Sequence, residues 1–260
     1  MKCADVIRKI ESWSAVEINP EKTCDRVKVG NDENSVEKVA VAMFGTPDVI
    51  KTAAEWGAQL LIVHEPLFYE HHDIERDCDL ARLKEKFIEQ SGVTVYRFHD
   101  HAHAMEPDVI YDGELLKLGI EGERVKGDYY AINRFILKEP MTALELAAAF
   151  ENKLGLKNVR IAGCTDKKGR TVSCCFGTPG HVEDELEKND FVIAGEICEW
   201  RAGEMARDYA QLGFNKAVIV LTHAGSERDG MELLGRKIQA EYPELAVKYF
   251  ECGEVYSYVK

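Results

Sequence analysis

The chain has 260 residues, 45% of them hydrophobic, and a formal net charge of -13. That is enough apolar material for one large α/β domain or two intimate lobes without disulfide staples. The acidic balance, with a pI near 5.2, disfavours nucleic acid as a partner, because duplex binding draws its affinity from Lys and Arg on phosphates.

The N-terminal residues 4–13 place Val6, Ile7, Ile10 and Trp13 on one helical face,. The segment is too charged for a signal peptide, and no run in the chain reaches membrane-spanning length. The eight cysteines form no CxxC pair, which argues against a zinc ribbon or a secreted disulfide framework and for reduced core thiols. A cytoplasmic protein with no membrane contact is expected. KVAVAMF (38–44) reads as a buried strand, Thr46 and Pro47 open a helix, and Gly57 closes it,. LLIVH follows, then a polar helix over 79–90 and the strand VTVYRFH, the βαβ rhythm of a parallel sheet,. The first lobe is expected to span 1–125.

The second lobe, 126–260, begins loosely. DYYAINRFIL, an Ala-rich helix capped by Thr142, VRIAGC and TVSCCFG around the turn DKKGR suggest hairpins,. The βαβ rhythm then returns with FVIAGE, a helix over 201–212 ended by Gly213, AVIVLTH, a helix over 226–241 and VKYFECG. Whether that C-terminal segment packs back on the first lobe is left open. No linker, low-complexity tract or short repeat is present.

Four of the apolar runs end on a residue able to bind a metal: His64, His99, His223 and Glu196. Carboxyl ends of parallel strands line the ligand crevice of an α/β protein, so these endings can converge on one site. A lone strand-end histidine is usually structural, and here the clustering carries the argument. In HDHAH, an extended segment points residues 99, 101 and 103 to one side, whereas a turn brings His99 and His103 together; only the turn serves a compact site. Asp100 and His101 then stand behind the ligands or line the crevice, and a different turn would make either a ligand. Glu227, four residues after His223, is a ligand or a favourable charge at a helix start, with Ser226 suited to cap that helix,. His64 and Glu65 adjoin Pro66, which bends the chain away from the strand. His71, His72 and His181 read as solvated. HEPLF is not HExxH, PCxxC is missing, and no GxxxxGK[ST], GxGxxG or GxSxG appears, which removes zincins, zinc deaminases, nucleotide loops and α/β-hydrolases. Cys174 and Cys175 lie in an apolar strand, where thiols are inert.

Taken together, these segments resemble the NIF3-like family, also labelled DUF34, GTP cyclohydrolase 1 type 2 homologues, and YbgI-like dinuclear metal-centre proteins. CDRVKVG resembles the family's WDNVGL, GAQLLIVHEPLFY its ADLIITHHPLIF, YRFHDHAH its histidine, three residues, aspartate element, FVIAGE its DLYITGE, and VLTHAGSE its DAGHYxSE. The resemblance implies two similar α/β lobes facing a metal-binding cleft and a toroidal homohexamer. Carried over, its metal positions fall on His64, Glu65, His99, His103, His223 and Glu227. Two depart from the family pattern: Glu65 replaces the second histidine of HHP, and His103 replaces an aspartate. The exchanges run in opposite directions, so four histidines and two carboxylates are preserved. Phe44 stands where many members carry an aspartate.

Histidine and carboxylate donors without thiolate suit two divalent ions of the Zn, Fe or Mn kind. The expected function is metal-dependent hydrolysis of a small nucleotide-like substrate, with Glu196 or Asp100 handling protons. The alternative is a non-enzymatic metal chaperone, insertase or interaction scaffold. The sequence offers no basic cluster for a triphosphate.

Overall fold

Unbroken β-branched runs become the central strands, because a strand covered on both faces has no use for polar alternation. The structure is a computed structural model that describes residues 1–73, 76, 78–126, 133–157 and 159–259. In chain order the elements are α1 (Cys3–Glu11), β1 (Arg26–Val29), β2 (Lys38–Ala42), α2 (Pro47–Trp56), β3 (Leu60–Val63), α3 (Asp79–Ser91), β4 (Thr94–Arg97), α4 (Asp100–His103), α5 (Val109–Leu118), β5 (Gly122–Lys126), β6 (Asn133–Thr142), α6 (Ala143–Leu154), β7 (Arg160–Gly163), β8 (Lys168–Cys175), α7 (Val182–Lys188), β9 (Phe191–Ala194), α8 (Glu204–Gln211), β10 (Ala217–Val220), α9 (Arg228–Glu241) and β11 (Ala246–Tyr249). The start of DYYAINRFIL and part of the loop EHHDIERD lie outside the described residues.

Two compact units result: Met1–Gly113 with Arg228–Lys260, and Glu114–Glu227. The sheet of the first runs β1-β4-β3-β2-β11, and that of the second β5-β6-β8-β9-β10-β7. Each is built on three parallel strands, 39–42, 60–63 and 94–97 in one, 172–175, 191–194 and 217–220 in the other, paired residue for residue. In both, an earlier strand, β1 or β7, lies antiparallel on the third strand of the trio. Gly30 and Gly163, both at φ 102°, mark the equivalent close approach: a Cβ would overlap Thr94 at one and the Lys216 carbonyl at the other. The second unit adds β5 and β6, which pair antiparallel, with β6 also antiparallel to β8; the hairpin expected around DKKGR does not form, because β7 pairs with β10 while β8 lies between β6 and β9.

Helix ends follow their sequence signals. Thr46 accepts from Val49 N and Pro47 occupies the first turn of α2. Thr142 and Glu145 form a reciprocal capping box on α6,. The expected helix from residue 201 instead opens with a π-turn, Glu199–Gly203, ahead of α8. In the first unit, Leu61, Val63, Val95, Ile50 and Ile88 pack in one fully buried layer, each contributing about 1.5–3 kcal/mol by removal from water. Val192, Val218 and Leu186 do the same in the second, with Ala206 buried among them.

The segment after β3 is tied down by charge. Asp73 accepts from Leu67 N and Phe68 N at 2.7 Å each, with Lys28 Nζ 3.9 Å away. Lys28 and Lys84 donate to the carbonyls of His72 and Leu67. Burial pulls both amines down to about 8, against the attraction of Asp73.

Candidate functional site

In the first unit, His64 follows β3 directly and is fully buried. Its Nδ1 lies 3.0 Å from Phe98 O. A carbonyl only accepts, so Nδ1 carries the hydrogen and Nε2 keeps its lone pair. His99 follows β4 after one residue, and His103 closes the helical turn α4 through its amide bond to His99 O. The turned form therefore holds: His99 and His103 share a face, with ring centroids 4.9 Å apart. The His64 ring lies 4.6 Å from His99 and 5.0 Å from His103, and one nitrogen from each ring falls within 4.8 Å of the others.

Each ring is oriented from behind. His99 Nδ1 is 2.9 Å from Asp100 Oδ1, and His103 Nδ1 is 2.9 Å from Asp108 Oδ2. Asp108 also accepts from Ile110 N and Tyr111 N at the start of α5. With acceptors on every Nδ1, Nε2 is the nitrogen each ring can offer an ion, the arrangement that metal-binding histidines adopt. Burial, with His99 and His103 beside it, keeps His64 well below the usual imidazole range, so it stays neutral, as a ligand must. Burial alone would raise the Asp100 carboxyl, but hydrogen bonds from His99 and Thr23 more than offset it and hold it below the usual range. Cys24, His99 and Asp100 also lie close enough to share an ion. However, both Asp100 oxygens are engaged, Oδ2 by Thr23 Oγ1 and Cys24 N, which suits an orienting role.

Glu65 is buried with Oε1 4.0 Å from His64 Nε2 and Oε2 3.6 Å from Arg97 Nη2. Arg97 is itself fully buried and donates to His64 O at 2.9 Å and to His71 O. The carboxylate that replaces a family histidine thus has its own counterion. His71 is exposed, with its ring 5.8 Å from that of His99. His72 and His181 are half-buried.

In the second unit, Glu196 follows β9 and His223 follows β10. His223 Nδ1 is 2.5 Å from Glu196 Oε1 and 3.1 Å from Thr178 Oγ1, and Thr178 donates to Glu196 at 3.0 Å. On the other side, His223 Nε2 is 3.2 Å from Glu227 Oε2. A neutral imidazole has one N–H and satisfies one carboxylate; a proton or a cation on Nε2 satisfies the second. Thr222, which aims the ring, is a β-branched residue at φ 81°, a strained backbone costing about 1–3 kcal/mol. Its Oγ1 accepts from Gly225 N. Ser226 corrects an expectation: its hydroxyl accepts from Gly177 N and donates to His223 O, so it braces the turn between His223 and Glu227 while α9 starts at Arg228.

The donor chemistry fits divalent ions of the borderline class: imidazoles with fixed tautomers, carboxylates, and little competing thiolate. Asp108 and Thr178 escaped the sequence reading. Asp108 was accessible as a polar residue just ahead of the apolar helix α5; Thr178 carried no such signal.

A family model described as Duf34/NIF3 (NGG1p interacting factor 3) matches residues 1–254. The GTP cyclohydrolase 1 type 2 homolog of Clostridium perfringens is 27% identical over 235 residues, covering 87% of each chain. The protein of the same name from Pyrococcus abyssi is 24% identical over 249 residues, covering 93% of this chain and 95% of the relative. Among solved structures, a Bacillus cereus protein related to NIF3 has the same fold at 14% identity, with a TM-score of 0.75 over 100% of this chain and 99% of that one. The protein ybgI, described as of unknown function, gives 0.76 at 20% identity over 98% and 99%.

Proposed function

The chain belongs to the Duf34/NIF3 family, and we propose that it binds two divalent ions, Zn, Fe or Mn, and hydrolyses a small nucleotide-like substrate. The observation that carries this reading is the set of three histidines, His64, His99 and His103, whose Nδ1 atoms all face acceptors. The proposed donors are these three with Glu65 in the first unit, and His223 with Glu227 in the second. Bound ions would supply Lewis acidity and a lowered pKa for water.

The chain's own groups do the rest. Asp100 and Asp108 fix the rings of His99 and His103, and Arg97 stands 3.6 Å from Glu65 as its counterion. Glu196 is half-exposed, with a side chain 50% accessible, and Thr178 steadies it; its carboxylate is the group placed to take a proton from water or substrate. The nucleotide-like substrate follows the name of the curated relatives. With a formal charge of -13, a triphosphate is a poor match, and a less charged nucleoside derivative is favoured.

Eight cysteines without a disulfide suit the reducing cytoplasm. Among the described residues no helix is long and apolar enough to cross a membrane. A homohexamer follows from the family resemblance, and light scattering at about six times the 29.3 kDa chain mass is the expected result.

Elemental analysis after purification without chelator should return two metals per chain. Saturable turnover on nucleotides or phosphoesters should vanish in His64→Ala and Glu227→Ala. A metal-free chain under saturating ions would overturn the reading; loaded protein that transfers its ions to an apo acceptor without turnover would replace the hydrolase by a metal chaperone.

A further inference from the structure

β1 runs antiparallel to β4 with Arg26 opposite Arg97, so the three residues before β1 arrive beside the three that follow Phe98. Asp25, whose side chain is fully buried, uses both oxygens there. Oδ1 accepts from His99 N at 2.7 Å and Asp100 N at 3.0 Å. Oδ2 accepts from His101 N at 2.8 Å and lies 2.8 Å from His101 Nδ1. These amides open α4 and have no partner inside the helix. Normally the residue just before a helix caps them with its own side chain. Here His99 makes no such bond, and the cap comes from a residue 74 positions earlier.

The neighbours of Asp25 complete the grip. Thr23 Oγ1, at 2.7 Å, and Cys24 N, at 3.1 Å, donate to Asp100 Oδ2, while Asp100 Oδ1 receives the His99 ring. One short segment therefore sets both the backbone of residues 99–101 and the rotation of the His99 imidazole. A four-residue helix cannot hold its own shape, since nucleating a turn costs more than its single bonds return. The spacing of His99 and His103 consequently depends on an external anchor.

We infer that Asp25 is a positioning residue that preforms the His99–His103 pair for an ion it does not touch, with Thr23 as its auxiliary. The inference rests on the metal-binding reading above. Cys24 contributes its amide to Asp100 and its thiol to Asp25 Oδ1 at 3.6 Å, the longer and weaker of the two contacts.

The test is Co²⁺ titration of the full chain, read by visible absorption and by competition with a chromogenic chelator. Asp25→Asn sets an amide N–H₂ against N–H donors. It should weaken Co²⁺ binding about 10–100-fold, the range for groups that orient ligands, and shift the visible bands as coordination geometry changes. Thr23→Val should weaken binding less, with recovery in Thr23→Ser; this milder pair keeps the question open to decision if Asp25→Asn folds poorly. Unchanged affinity and spectrum in both Asp25→Asn and Thr23→Val, with a wild type that binds, would overturn the inference. A wild type that binds no Co²⁺ would sink the metal reading instead. Ring ¹⁵N spectra of the apo chain then judge Asp25 separately. A single His99 Nδ1–H tautomer that becomes a mixture in Asp25→Asn supports the positioning role, and identical spectra refute it.

Discussion

Past the second and third parallel strands, the first unit delivers three imidazoles, while the equivalent strand ends of the second deliver one imidazole between two carboxylates. Glu65 and Glu196 make the contrast sharpest, since each is the second residue after its strand. Glu65 is buried against Arg97, whereas Glu196 is half in solvent and holds His223. The same backbone position yields a buried carboxyl group held against a guanidinium in one unit and an accessible carboxylate in the other. Burial and the nearest cation, more than strand geometry, assign the role.

Removing that cation is expected to have the largest effect. Arg97→Met leaves Glu65 buried without its counterion and should destabilise the chain by about 3–5 kcal/mol, read by urea unfolding; Arg201→Met, at an exposed ion pair in the second unit, should cost no more than about 1 kcal/mol. Comparable losses would erase the contrast between the units. Next, His64→Ala should lower Zn²⁺ affinity more than about 100-fold, beyond the range for orienting groups, whereas Glu196→Gln should fall within about 10–100-fold. Chelator competition measures both, and equal losses would make Glu196 a ligand like the rest. Relief of strain is smaller: Thr222→Asn, a residue that tolerates positive φ, should raise stability by about 1 kcal/mol.

The last expectation is a pH slope set by two buried amines of the first unit. With Lys28 and Lys84 held at about 8 by burial, the unfolded chain binds more protons than the folded one between pH 8 and 10.5. Their burial therefore costs most below pH 8, and the cost is lifted as pH rises through that window. Cys24 and Tyr96, raised by burial, act in the opposite sense above pH 9, so the difference between wild type and Lys28→Met isolates the effect. That difference should move in favour of wild type from pH 8 to 10; a flat difference would remove the buried amine from the account.

Much of this was legible in the residues. KVAVA, LLIV, FVIA and AVIV declare themselves because strands buried on both faces are uniformly apolar,. Thr46 and Thr142 declare helix starts because their caps are local. β1 and β5 carry RVKV and GERVK, mixed patterns whose pairing depends on strands that the local sequence does not identify. The histidines stood out at strand ends, but their supporting carboxylates did not. With 46 Asp and Glu in the chain, nothing marks Asp25 until folding places it against a ring, and the position of Asp108 ahead of α5 signals a helix start rather than a partner for His103. Ser226 misled for the same reason: a hydroxyl beside a helix start looks like a cap, and only the approach of Gly177 diverts it.

The pairing of β11 with β2, residues 246–249 on 38–41, imposes an order on synthesis. Glu114–Glu227 is contiguous and can close while translation continues,. The body that carries the earliest-made histidines is the later one to finish, for β2 has β3 on one side only and its other edge stays open until residue 249 has left the ribosome. A nascent chain stalled before that point presents a bare strand margin, the feature that recruits stray chains.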